Sequence, residues 1–155
     1  MGKLDEIDMK ILGSLHKDAS VSIPKLSKDL GLNLSVTYSR IKRLSRRKII
    51  KQFTIVVDEE KLGFPASAVV GVNLDPKQRD QALAEMSKLE QVRIIQEVTG
   101  RFDAFVTVRG KTIEEIYKIV AEDIGKIQGV NQAETFVRVE TLRPEVNYKI
   151  AANSG

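Results

Sequence analysis

Hydrophobic residues change their spacing once along this chain of 155 residues. Up to about Leu44, apolar side chains recur at three- and four-residue steps, the repeat of a helix with one buried face. From Ala66 they alternate. Ala66, Ala68, Val70, Val72 and Leu74 are separated by Ser67, Val69, Gly71 and Asn73, the period of a strand. The chain therefore reads as a helical module followed by a sheet-bearing one.

In the helical third, Leu4, Ile7, Ile11, Leu12 and Leu15 mark one face of a first helix. Asp5, Glu6 and Asp8 stand near its start, where carboxylates suit the positive end of the macrodipole. His16 closes it, where a ring can satisfy the last carbonyls. Ser22 caps a second, short helix that tolerates Pro24 in its first turn and turns Ile23, Leu26 and Leu30 inward before Gly31. Asn33 caps a third helix running to about Arg47, with Thr37, Ile41 and Leu44 on its buried stripe. Two short helices joined by Gly31-Leu32-Asn33, the second basic, make a helix-turn-helix pattern.

Charge is divided as unevenly as the spacing. The formal net charge is +4; residues 1–60 hold twelve Lys/Arg and eight Asp/Glu, while residues 61–155 hold thirteen of each. Between Asn33 and Lys51 there are seven bases and no acid: Arg40, Lys42, Arg43, Arg46, Arg47, Lys48 and Lys51. Any three amphipathic helices can make a bundle with solvated bases, but this concentration favours double-stranded DNA as the partner. A duplex offers dense negative charge and a groove that admits a helix.

The sheet module repeats itself. After the strand at 66–74, Asp75-Pro76 is expected to open a helix with Ala82, Leu83, Met86 and Leu89 inward. A second strand at 93–99 turns through Gly100-Arg101-Phe102 into a third at 103–109. Thr112 and Glu115 form a capping box for a helix striped by Ile113, Ile116, Tyr117, Val120, Ile124 and Ile127. Gly129 ends that helix, and a last strand covers 131–142. The order β-α-β, β-α-β, with halves starting 37 residues apart at Ala66 and Asp103, predicts a ferredoxin-like βαββαβ domain. Right-handed crossovers place both helices on one sheet face. Val69, Ile95, Phe105 and Phe136 are candidates for the other, whose apolar character predicts a dimer.

The fold class is thus α+β. The expected boundaries are 1–48 for the DNA-binding module, 49–64 for a hinge, 65–145 for the ferredoxin-like domain and 146–155 for a tail. The run Gln52-Phe53-Thr54-Ile55-Val56-Val57 predicts a strand in the hinge, and the final five residues are expected to be disordered.

Composition closes off other classes. Hydrophobic residues make up 42% and charged ones 30%, and no apolar run approaches the roughly 18 residues a membrane span needs. Cysteine is absent and His16 is the one histidine, so no metal site or catalytic residue is assigned. There is no phosphate loop of G-x-x-x-x-G-K type, and an enzyme is not expected. The N-terminus turns acidic at once, without a signal-type stretch, and Glu6 stands where a myristoylation motif wants Ser or Thr. Cytoplasmic location, with no membrane partner, is the expectation, and the sequon Asn33-Leu34-Ser35 is coincidental.

Four stretches resemble the Lrp/AsnC, or feast/famine, transcription regulators of bacteria and archaea: the opening Leu4-Asp5-Glu6-Ile7-Asp8-Met9-Lys10-Ile11-Leu12, Arg40-Ile41-Lys42-Arg43-Leu44, Gly100-Arg101-Phe102-Asp103, and Val130-Asn131 through Thr135. The resemblance runs from about Leu4 to Arg143. It implies a winged-type helix-turn-helix domain, a hinge strand and a ferredoxin-like effector domain. It also implies dimers that assemble further, often to octamers, and no cofactor. The implied effector is an amino acid or related metabolite, bound between dimers near the turn and the last strand, at Gly100, Arg101, Phe102, Asp103, Thr135 and Val137. The chain departs where Asn33-Leu34 replaces Ser-Pro and where Lys48 replaces the usual glycine.

Expected DNA contacts are Asn33, Ser35, Val36, Tyr38, Ser39, Arg40, Lys42, Arg43, Arg46, Arg47 and Lys48. Tyr38 can stack, meet a thymine methyl or pack on the neighbouring helix. Arg40 and Arg43 share a face and can each grip phosphate or read guanine. Arg46, Arg47 and Lys48 read as backbone contacts or solvated charges. Asp103 either caps backbone N–H groups or receives an effector's ammonium; Thr135 offers a hydroxyl, and Glu97 can contribute. The competing function is an architectural DNA-binding protein without an effector.

Overall fold

The computed structural model describes residues 3–142, 146 and 148–150. It resolves into two compact units. The first takes in the chain up to Val56 with the described residues from Leu142 onward, and the second spans Val57–Thr141. The expectation for residues 151–155 lies outside the described residues.

The first unit holds α1 (Glu6–Lys17), α2 (Ile23–Asp29) and α3 (Leu34–Arg46). The expected caps form: Ser22 accepts from the Lys25 N–H, and Asn33 from the Ser35 N–H. Ile11, Leu26 and Leu44 are fully buried at the centre, with Leu4, Ile7, Leu15, Leu30 and Ile41 packed around them. Burying such a side chain stabilises the unit by about 1.5–3 kcal/mol. Beyond the end of α3, Lys48 has a φ of +56°, in the left-handed region, and the Ile49 N–H reaches back to the Leu44 carbonyl at 3.0 Å. Lys48 thus occupies a position that favours glycine. His16 meets Tyr148, with Nδ1 and Oη 2.9 Å apart, and the Ser14 carbonyl is taken by the Asp18 N–H instead.

The hinge strand does not form. Residues 51–58 have no ladder partner among the described residues, and Phe53, Ile55 and Val56 are exposed. An isolated β-type segment has nowhere to send its backbone hydrogen bonds except to water.

The second unit contains β1 (Ala66–Leu74), α4 (Arg79–Met86), β2 (Val92–Glu97), β3 (Ala104–Gly110), α5 (Ile113–Lys118) and β4 (Val130–Val137). The sheet order is β2-β3-β1-β4 and every pair is antiparallel. Ala68, Val70 and Val72 of β1 and Ala104, Val106 and Val108 of β3 face a core completed by Met86, Ile116 and Ile124. This is the expected ferredoxin-like arrangement.

Three local expectations are corrected. α4 opens at Arg79 rather than at Asp75-Pro76, because the Asp75 carboxylate accepts the Lys77 N–H at 2.8 Å and builds a turn first. At α5, Thr112 accepts the Glu115 N–H as expected, but the Glu115 carboxylate reaches the Lys111 N–H, so the capping box is half made. α5 then widens into a π-helical stretch, Ile119–Ile124, where the Gly125 N–H bonds the Val120 carbonyl at 2.8 Å. Ile119 becomes buried there, while Ile113 and Tyr117 are exposed, Tyr117 at 73%.

On the sheet face away from that core, Val69 lies opposite Phe136 and Thr107, and Gly71 opposite Phe105 and Glu134. Ile95 is not on this face. A register shift between Val92 and Ile94 pairs Ile95 with Val106, inside the core, and leaves Ile94 52% exposed beside Thr107. Phe102 folds over Gly71, where an added Cβ would stand 2.7 Å from its ring. Its ring centroid is 5.5 Å from that of Phe105 and 6.0 Å from that of Phe136, so three aromatics cluster here. No helix among the described residues is long and apolar enough to cross a membrane.

Candidate functional site

The faces of α3 divide the expected DNA contacts into two groups. Thr37 and Leu44 are buried, and Arg40, three residues past one and four before the other, lies on the same side. Its Nη1 is 2.7 Å from both carboxylate oxygens of Asp5 and 2.9 Å from Asp8 Oδ1. Arg43 Nη2 lies 2.8 and 2.7 Å from the two oxygens of Asp8. Asp8 is 0% exposed. Asp5 and Asp8 also accept one another's backbone N–H, the reciprocal cap that starts α1.

Arg40 and Arg43, expected to meet bases or phosphates, are thus engaged by Asp5 and Asp8 in this chain. A carboxylate with no access to water requires compensating charge, and these two arginines supply it. Asp5 responds to the same pairing: its carboxyl is held below the ordinary value of 3.8, chiefly by the hydrogen bond from Arg40 and then by the Asp8 N–H.

Ser35, Tyr38, Ser39, Lys42 and Arg46 occupy the solvent side at three- and four-residue steps, and all are exposed. Tyr38 is 54% exposed. Val36 is exposed beside this row, and so is Leu34, which sequence reasoning passed over although it directly follows the cap. Two hydroxyls are locally engaged: Ser35 Oγ donates to Asn33 Oδ1 at 2.8 Å, and Ser39 Oγ to the Val36 carbonyl at 3.0 Å. Asn33 spends its side-chain oxygen on the helix cap. Arg47 is the half-buried C-cap, and Lys48 beyond it is exposed.

In the second unit, Arg101 Nη2 bonds Glu134 Oε2 at 2.7 Å, and its guanidinium sits 5.2 Å from the Phe102 ring centroid. Phe102 is buried, while Gly100, with φ of +140°, is exposed. The Asp103 N–H bonds the Val72 carbonyl at 2.9 Å. Its Oδ2 accepts the Leu74 N–H at 2.8 Å, where β1 and β4 change register. One oxygen of Asp103 thus has the structural role left open in the sequence.

Thr135 and Val137 lie opposite Val70 and Ala68, on the helix-bearing side. Glu134 and Phe136, which join Arg101 and Phe102, point the other way because side chains alternate along a strand. The structure brings the 100–103 turn together with Glu134 and Phe136, and not with Thr135 and Val137. Behind the turn, Glu97 pairs with Arg79 at 2.8 Å, and Arg79 Nη2 lies 3.5 Å from the Asp103 carbonyl. An open cleft of about 570 Å³ is lined by Arg79, Glu97, Val98 and Thr99. Arg79 and Glu134 carried no sequence signal beyond their charge.

Residues 4–51 match the family model of the winged helix-turn-helix DNA-binding domain, and residues 67–148 that of the Lrp/AsnC ligand binding domain. The chain belongs to the Lrp/AsnC family. It is a DNA-binding transcriptional regulator of the Lrp/AsnC type with a ligand-binding domain. It is 33% identical over 150 residues to the transcriptional regulator AzlB of Bacillus subtilis, covering 95% of this chain and 96% of that protein. An HTH-type transcriptional regulator of Pyrococcus furiosus is 34% identical over 136 residues, 88% of this chain and 89% of that one. Among solved Lrp/AsnC folds, E. coli AsnC superposes with a TM-score of 0.85 at 22% identity, over 95% of this chain and all of that one. A transcriptional regulator of Neisseria meningitidis, solved as an L-Met complex, superposes at 0.88 with 20% identity, over 96% and 98%.

Proposed function

We propose that this Lrp/AsnC protein is a sequence-specific regulator that reads double-stranded DNA as a dimer and whose DNA binding or assembly responds to a free amino acid. The observation that carries the reading is the solvent row of α3. Lys42 and Arg46 stand on it with Lys48 just beyond, no acid lies between Asn33 and Lys51, and the acids that neutralise Arg40 and Arg43 sit on the opposite side. Lys42, Arg46 and Lys48 meet phosphates, and Arg47 extends the same basic exit. Ser35, Val36, Tyr38 and Ser39 lie in the early turns, the part of a recognition helix that approaches base edges.

Dimerisation uses the sheet face of Val69, Phe105 and Phe136, where apolar side chains lack a covering helix. Further association of dimers, to octamers, builds on that pair. The effector reading rests on the 100–103 turn. A carboxylate has about four lone-pair sites, so Asp103 retains acceptor capacity for an ammonium beyond the Leu74 N–H. Backbone N–H groups of the turn receive the effector's carboxylate. The L-Met complex of the Neisseria relative supports an amino acid as the ligand class. Thr135 and Val137 have no part in this site within one chain. The protein acts in the cytoplasm and catalyses no reaction.

The test starts from duplexes enriched by the protein from a random pool. Their affinities are then measured without and with each of the twenty amino acids. A common enriched sequence, with affinity shifted by one or a few amino acids, is expected. No enrichment returns the architectural reading, and no response to any amino acid removes the effector.

A further inference from the structure

The hairpin of β2 and β3 is fastened at both ends. Its closed end is the 100–103 turn, held by Asp103 to β1 and by Arg79 to Glu97. Its open end carries Arg93 and Arg109, and both reach one carboxylate. Arg93 Nε lies 2.5 Å from Glu59 Oε1, and Arg109 Nε lies 3.0 Å from Glu59 Oε2. Two further contacts secure the same segment: Arg109 Nη1 donates to the Phe64 carbonyl at 3.4 Å, and the Arg93 guanidinium sits 5.9 Å from the Phe64 ring centroid. Glu59 retains only 22% of its side-chain exposure, although its neighbours 58, 60 and 61 are exposed. It lies in the C-terminal half of the 49–64 hinge, so that end of the hinge is fixed to the hairpin that bears the turn.

Two arginines on adjacent strands, sharing one carboxylate, hold it in a position set by how those strands lie against each other. Charge-assisted hydrogen bonds depend steeply on that geometry. Arg93 stands inside the register shift between Val92 and Ile94, where the ladder of β2 and β3 is locally disrupted. The clamp and the turn are about five residues apart along the ladder, or roughly 17 Å. The ladder between them is continuous from Glu97 opposite Ala104 to Ile94 opposite Thr107.

We infer that Glu59 is the positioning residue through which this hairpin passes a change at its 100–103 turn to the hinge, and so to DNA binding. The inference rests on the effector reading above. If the clamp were only an anchor for a loop, its loss would affect stability and leave the response to effector intact.

The experiment compares full-length wild type with Glu59→Gln, which keeps the shape and removes the charge. The DNA is a duplex enriched by the wild type, and the probe is an equimolar mixture of the twenty amino acids. The wild-type DNA affinity should shift by the 5- to 150-fold that is roughly typical of coupled sites, and that of Glu59→Gln by less than about twofold. Glu59→Gln should keep its affinity for DNA without amino acids and its thermal stabilisation by the mixture. Hydrogen exchange at 57–64 should respond to the mixture in the wild type alone. Arg93→Gln, with the same expected pattern, serves if Glu59→Gln fails to fold. A variant that keeps the wild-type shift, or loses DNA binding before any amino acid is added, overturns the inference. A wild type that does not respond overturns the effector reading and this inference with it, whereas a response shared by both proteins overturns this inference alone.

Discussion

Removing Arg43 would leave the Asp8 carboxylate in a dry site beside Arg40 alone. Arg43→Ala should therefore destabilise the DNA-binding unit by about 3 kcal/mol, the low end for breaking a buried pair because one arginine remains. Thermal unfolding checks this. Asp5 makes a second residue-scale prediction. Its pKa in the folded chain is below the ordinary 3.8, so its contribution is fully present above that value and is lost as pH falls through the lower, folded one. The stability difference between wild type and Asp5→Asn should be constant from about pH 7 to pH 5 and shrink below about pH 4. Local counting of charge could not find this pairing, since Asp5 and Asp8 precede the arginines by 32 to 35 residues. The spacing did hold a signal. Arg40 stands three residues after Thr37 and four before Leu44, both on the stripe expected to be buried.

At the scale of elements, the helix starts were legible because Ser22 and Asn33 cap through side chains that reach only two or three residues ahead. The strands of the second unit were legible through alternation. What failed depended on geometry that periodicity does not encode: a bulge that turns Ile95 inward, a π-helical widening that buries Ile119 and exposes Tyr117, and a hinge segment without a ladder partner among the described residues. The 100–103 turn was legible as a turn, but the sheet faces were not, so Thr135 was grouped with residues that lie on the other side. Asp103 requires a substitution that separates its bond to the Leu74 N–H from the proposed effector role. Asp103→Asn keeps an oxygen for the Leu74 N–H and loses the charge. It should fold normally and weaken amino-acid binding about ten- to a hundredfold, as the loss of a charge-assisted hydrogen bond implies. Calorimetry with the amino acid found in the screen checks this. Unchanged affinity would place the pocket elsewhere.

For the whole molecule, one chain carries both a cationic helix face and an apolar sheet face. Phe136 lies on the aromatic patch with Phe102 and Phe105, and is 44% exposed. Burying an uncompensated charge there is costly, so Phe136→Asp should sediment as a monomer at micromolar concentration while wild type does not. A monomeric wild type would remove the basis for two-fold reading of DNA.

The division of α3 into a locked side and a reading side is tested most directly by the salt dependence of DNA binding. If Lys42, Arg46 and Lys48 of two protomers neutralise about six phosphates, log K should fall with log salt at a slope near −5. Arg46→Ala, which loses about two of those contacts per dimer, should flatten the slope by about 2 and weaken binding to every sequence alike, with unfolding unchanged. Binding that ignores salt, or an Arg46→Ala slope equal to that of wild type, would contradict the assignment of this face to DNA.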